Sequence, residues 1–117
     1  MLLYIDSSPR RDVASGSKAA LASVNGSQSF GTLRFTTEQH RGLRGTIQVS
    51  GQALAGVGTV KYAVINVPTT WGNEIVSCGP NSDGSLFCDG PLFGAPLVGA
   101  TTILAVNGAP LAKGTIQ

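Results

Sequence analysis

A chain of 117 residues with only 12% charged side chains and a net charge of +2 fits one domain with a single core. Its bland surface is better suited to being covered than to standing alone. No basic run longer than Arg10-Arg11 occurs, which excludes a strong electrostatic grip on nucleic acid, and no apolar run approaches the ~18 residues that a membrane-spanning helix requires.

Residues 1–16 read as a short extended arm, flexible or exchanged between copies. Its tip, Met1, Leu2, Leu3, Tyr4 and Ile5, is apolar, and Asp6 to Ser17 is rich in turn formers, with Pro9 arguing against a helix. The basic pair follows the apolar tip instead of preceding it, so no signal peptide is expected. Such an arm is either a frayed terminus or an apolar tip able to add a strand to a neighbour's sheet edge.

Residues 17–117 form one β-sandwich domain on this reading. Short strands are predicted at 18–24, 30–37, 43–50, 59–67, 73–78, 85–88, 97–106 and 112–117, separated by turn signals such as Asn25-Gly26, Asn81 to Gly84 and Asn107-Gly108. Leu33 and Phe35 alternate with Arg34 and Thr36, and Ile47 and Val49 with Gln48 and Ser50. The run 59–67 (TVKYAVINV), ended by Pro68, is predicted to be the central strand. No stretch carries a helical period, so the expected class is all-β: an eight-stranded antiparallel Greek-key sandwich or barrel. Leu33, Phe35, Ile47, Val49, Val64 and Ile103 are its predicted core.

Several phrases in order resemble the Cu,Zn superoxide dismutase family. Residues 18–26 (KAALASVNG), 30–38 (FGTLRFTTE) and 44–51 (RGTIQVSG) are similar to its first three strands. Ser82-Asp83-Gly84 stands where that family has a hairpin turn, and 97–105 (LVGATTILA) and 111–116 (LAKGTI) resemble its last two strands. The family's copper and zinc ligands are histidines on the fourth strand, in the loop after it and at the end of the seventh. Here the fourth strand reads Val60-Lys61-Tyr62-Ala63-Val64, the loop shrinks to 68–74, and the chain's one histidine is His40. A copper or zinc site takes three or four ligands, typically several imidazoles, so no metal or other cofactor is expected and dismutase chemistry is excluded.

The family's disulfide uses a cysteine on the closing strand, a position that Lys113 occupies here. Cys78 and Cys88 instead flank the 82–84 turn almost symmetrically; they are either a cross-strand disulfide or two reduced thiols. A disulfide would point to an oxidising compartment or to the outside of a particle or cell.

No catalytic constellation emerges. His40 lies between Gln39 and Arg41 without a Gly-x-Ser-x-Gly elbow. The carboxylates Asp6, Asp12, Glu38, Glu74, Asp83 and Asp89 fall mostly at predicted loops and turns, and Gly56-Val57-Gly58 opens no phosphate-binding helix. Trp71, in the shortened loop, is either a binding anchor or a plug folded over one end of the core.

Three functions compete. The first is a non-catalytic structural subunit of a virion, capsid, extracellular filament or surface layer, located in a virion or at a cell surface. It would self-associate as a homo-oligomer through the arm, with Trp71, Arg10, Arg11, Arg34, Arg41 and Arg44 as contacts. Metal-free dismutase-like virion components of poxviruses make the resemblance point the same way. The second is a metal-free dismutase-like binding module that uses Trp71, Tyr62 and the loop 38–44 toward a protein or small molecule. An unrecognised enzyme is the third. The first is favoured by low charge and an apolar tip; nucleic acid enters it only as a weak contact inside an assembly, and membrane insertion is not expected.

Overall fold

Alternating apolar and polar side chains build eight antiparallel strands: β1 (Lys18–Ser23), β2 (Ser29–Glu38), β3 (Gly42–Val49), β4 (Ala63–Thr69), β5 (Gly72–Pro80), β6 (Leu86–Leu92), β7 (Thr101–Val106) and β8 (Ala109–Thr115). The structure, a computed structural model, describes residues 17–24, 26, 28–38 and 42–117. The predicted arm with Met1 to Ile5, Arg10 and Arg11 lies outside the described residues, as do His40 and Arg41. Among the described residues there is no helix.

The strands close in the order β1-β2-β3-β6-β5-β4-β7-β8. Residues 50–62 carry the chain from β3 past β6 and β5 to β4. Residues 93–100 carry it back from β6 past β5 and β4 to β7 at the opposite end, a Greek-key path. Pairing is uneven around the barrel. β3 and β6 pair along seven positions from Leu43↔Leu92 to Val49↔Leu86, whereas β5 meets β6 only at Cys78↔Cys88, Gly79↔Phe87 and Pro80↔Leu86. β1 and β8 pair at Ala22↔Lys113 and Ser23↔Ala112. The barrel is thus two four-stranded sheets joined at two short seams. Full pairing on both sides removes a strand's free edge, and at the two short seams it is incomplete: β5 has no β6 partner over 72–77.

Each seam carries its own device. A disulfide between Cys78 and Cys88 closes β5 onto β6, which decides between the two expectations for these cysteines. At the other seam Gly114 lies against the Ala20 carbonyl, where a Cβ would overlap the backbone oxygen.

The core holds Leu33, Phe35, Ile47 and Val49 as expected, but two strands are shifted by one residue from the predicted phase. In β4 the inward residues are Ala63, Ile65 and Val67, leaving Val64 half-buried, and in β7 they are Thr102, Leu104 and Val106, leaving Ile103 half-buried. An unbroken apolar run fixes no face; Asn66 sets it here by facing outward, while its carbonyl accepts from the buried Thr102 hydroxyl at 2.7 Å.

The central strand also begins later than expected, at Ala63 instead of Thr59. Residues 59–62 are claimed by the β7–β8 turn: Asn107 Oδ1 accepts from Lys61 N at 2.7 Å and its Nδ2 donates to Thr59 O at 2.8 Å. Asn107 and Gly108 both have positive φ, 53° and 86°, as a two-residue type I′ hairpin requires. Pro68 lies inside β4 instead of ending it. Its carbonyl accepts from Leu97 N at 3.0 Å, so its nitrogen also faces the crossover and no donor is missing from the β4–β5 ladder.

The outer face is largely polar, with Arg34, Thr36, Gln48 and Lys113 exposed, while the interior is apolar. Barrels that cross membranes show the reverse pattern. Among the described residues no helix is long and apolar enough to span a bilayer.

Candidate interaction surface

Four large apolar side chains stand exposed at the end of the barrel where β4 turns into β5 and where β6 leaves for β7. They are Trp71 (75% exposed), Phe93 (69%), Val98 (54%) and Leu97 (41%). The Trp71 and Phe93 rings are 6.1 Å apart between centroids and inclined by 25°. Trp71 is therefore not the core plug that was one of its two expected roles; it points to solvent beside a second aromatic.

The β4–β5 connection is only Thr70-Trp71, not the loop 68–74 expected, because Pro68 pairs with Asn73 and Val67 with Glu74. Gly72 closes the turn with φ of 104°. Trp71 N donates to Thr69 Oγ1 at 3.1 Å, and the Thr69 hydroxyl lies 2.6 Å from Glu74 Oε2 and 3.0 Å from Gly72 O.

Glu74 ties this turn to the crossover. Where β5 and β6 no longer pair, its carboxylate takes the place of a backbone partner, Oε1 accepting from Phe93 N and Oε2 from Gly94 N, each at 2.8 Å. Thr70 N donates to Ala95 O and Ala95 N to Thr70 Oγ1, at 3.0 and 3.1 Å. Gly94 fits so closely that a Cβ would lie 2.7–2.8 Å from Thr69 Oγ1, Thr70 Oγ1 and Trp71 N. The two aromatics are exposed, yet the backbone beneath each is fixed.

Burial works to raise the Glu74 carboxyl pKa, but the bonds from Thr69, Phe93 and Gly94 outweigh it and hold the group below its ordinary value. A carboxyl depressed in the folded state contributes stability that is present above the unfolded pKa and lost as pH falls through the folded one. Glu74→Gln is expected to lower stability at neutral pH and to make the acid-side loss less steep, read from urea midpoints taken from neutral to acid pH. An acid limb as steep as the wild type's would contradict this role.

Of the other predicted contacts, Arg34 and Arg44 are among the described residues. Arg34 is exposed on β2. Arg44 is engaged instead of free: its Nη1 donates to Asp89 Oδ2 at 2.6 Å, and Thr46 Oγ1 donates to Asp89 Oδ1 at 2.9 Å. Burial works to raise the Asp89 pKa, and the bonds from Arg44 and Thr46 with the Arg44 charge hold it low. Both side chains are about a third exposed, 35% and 32%, so the pair adds little stability. Tyr62 precedes β4 and Trp71 follows it, which puts them at opposite ends of the barrel. Of the surface expected from Trp71, Tyr62 and the loop 38–44, Trp71 and Tyr62 thus lie apart, and residues 39–41 of the loop lie outside the described residues.

Phe93, Gly94, Leu97 and Val98 were not singled out in the sequence, and Glu74 was read only as one of six loop and turn carboxylates. The available signal was Pro91-Leu92-Phe93-Gly94-Ala95-Pro96, an apolar run too interrupted by Gly and Pro to continue as a strand. Two open depressions of about 400 and 420 Å³ lie elsewhere, one against the disulfide beside Phe87 and Asp89, the other between Ala20, Thr101 and Lys113. Among the described residues no group of three or more His, Cys, Asp or Glu stands close enough to hold a metal ion.

No family model matches the chain, and neither a curated protein nor a solved structure matches it.

Proposed function

We propose that the chain is a non-catalytic structural subunit that associates with copies of itself, using the barrel end that carries Trp71 and Phe93. The observation behind this reading is the rigid presentation of two solvent-facing aromatics beside Leu97 and Val98. Aromatic anchors held in place before binding lose little conformational entropy on contact, which is the character of interface hot spots. An apolar patch left bare in water favours being covered, and a chain with 12% charged residues has little repulsion to oppose it.

The Cys78–Cys88 disulfide favours an oxidising setting, such as the outside of a cell or particle. With the dismutase-like phrases of the sequence, it supports a virion component or an extracellular layer or filament. Nucleic acid has the role of a weak contact inside such an assembly. The same exposed platform also supports a second reading, a metal-free dismutase-like module that binds another protein or a small molecule.

Trp71→Ser combined with Phe93→Ser tests the first reading. The substituted side chains are exposed, so the urea midpoint should stay close to the wild type's while the assembled fraction on a sizing column falls to monomer. Retention of the wild-type assembly by this variant would contradict the proposed interface.

A further inference from the structure

The reading above leaves open what covers Trp71 and Phe93. We propose that this platform is the receptor for the apolar tip of the chain itself, Met1 to Ile5, delivered by a neighbouring copy; the inference rests on the self-association reading and names its contact.

Three observations carry it. First, the described chain begins at this end of the barrel. Ser17 O accepts from Phe35 N at 2.9 Å, and Lys18 and Gln117 exchange backbone hydrogen bonds, Gln117 N to Lys18 O at 2.9 Å and Lys18 N to Gln117 O at 3.4 Å. The next residue, Ile116, bonds to the crossover, its N to Ala100 O at 2.9 Å and its O from Gly99 N at 2.8 Å. Leu97 and Val98 directly precede this contact. A continuous set of backbone bonds therefore links the root of the arm to the apolar patch.

Second, the length suffices for a neighbour. Residues 6–16 separate Ile5 from Ser17, and a tether of this length spans at most ~36–40 Å. A seven-residue strand such as β4 is only about 23 Å long. The tether is longer than a return to the adjacent patch requires and long enough to reach a second barrel.

Third, the chemistry matches. Met1, Leu2, Leu3 and Ile5 are aliphatic or thioether side chains with Tyr4 among them, the partners that a Trp–Phe surface takes by burial and by sulfur and ring contacts. The platform takes the tip through these side chains. At the root, Ser17 Oγ is buried without a hydrogen-bond partner, a site at which an ordered arm would supply one.

The chain contains a single tryptophan, so Trp71 emission reports cover of the platform directly. The experiment compares the full wild-type chain with full-length Leu3→Asp/Ile5→Asp, reading emission and light-scattering mass across a dilution series. The substitutions fall in none of the eight strands, and unchanged circular dichroism with an intact disulfide confirms that the barrel is formed. The expected result is a blue-shifted wild-type emission that moves to the red on dilution in step with dissociation, and a variant that is monomeric with red emission at every concentration.

Coincident emission from the two proteins, with the wild type assembled, would overturn the receptor assignment and leave self-association standing. A monomeric wild type whose blue emission ignores dilution and is lost in the variant would place the tip on its own barrel and overturn delivery by a neighbour. A monomer with red emission throughout would remove both this inference and the reading on which it rests.

Discussion

Phe35→Ala is expected to destabilise the barrel by about 3–5 kcal/mol, the range for deleting a large buried ring. Phe35 is 1% exposed, and its ring packs toward Gly45 on the neighbouring strand, where a Cβ would sit 3.5 Å from the ring edge. The glycine makes the room that the phenyl fills, so truncating the ring leaves space that rigid strands on both sides are slow to collapse into. Against the ~5–15 kcal/mol that holds a domain of this size, such a loss brings the protein close to its unfolding threshold. A urea titration should show a much lower midpoint with an unchanged slope. A loss under about 1 kcal/mol would mean that Phe35 is not the central packing residue of its sheet.

The second large effect concerns the β5–β6 seam. Cys78 and Cys88 close a loop with a sequence separation of 10, and restricting the unfolded chain over that span is worth about 2–3 kcal/mol on the chain-entropy model. The seam has only two other paired strand positions, Gly79↔Phe87 and Pro80↔Leu86. Cys78→Ala with Cys88→Ala should lower the unfolding free energy by that amount. Alanine is the appropriate replacement, because Cys88 is fully buried and a serine hydroxyl there would be left without a partner. Reduction of the wild type should reproduce the loss. A double variant as stable as the oxidised protein would show that the turn at Asn81 to Gly84 holds the seam unaided.

These two effects sit in parts of the molecule that the sequence discloses to different degrees. Strands β2 and β3 are legible because polar and apolar residues alternate strictly, so Leu33, Phe35, Ile47 and Val49 announce their side of the sheet. The cysteine pair is legible as a question, since its symmetry about the 82–84 turn brings the two residues opposite one another but does not itself form the bond. β4 and β7 are not legible in phase. Their runs are apolar on both faces, and the choice is made by Asn66 and Thr102, whose contact across the two strands has no local signature. The start of β4 is equally hidden, because residues 59–62 are captured by Asn107 from a distant turn.

The platform was half visible. Trp71 stood out by its type and by its place in a short loop, but its partner Phe93 belongs to a different Greek-key connection, and only the closed fold brings the two together. Glu74 looked like a turn carboxylate. It sits instead at the end of a strand that has lost its β6 partner, and there it supplies the acceptors for Phe93 and Gly94.

The most direct test of the account is the mass of the untagged, oxidised protein near neutral pH, by light scattering on a sizing column with electron micrographs of the same peak. The account predicts a discrete assembly of many copies, or filaments. A clean monomer or dimer at high concentration would contradict it, and would leave the Trp71–Phe93 platform as the binding face of a module whose partner is another molecule.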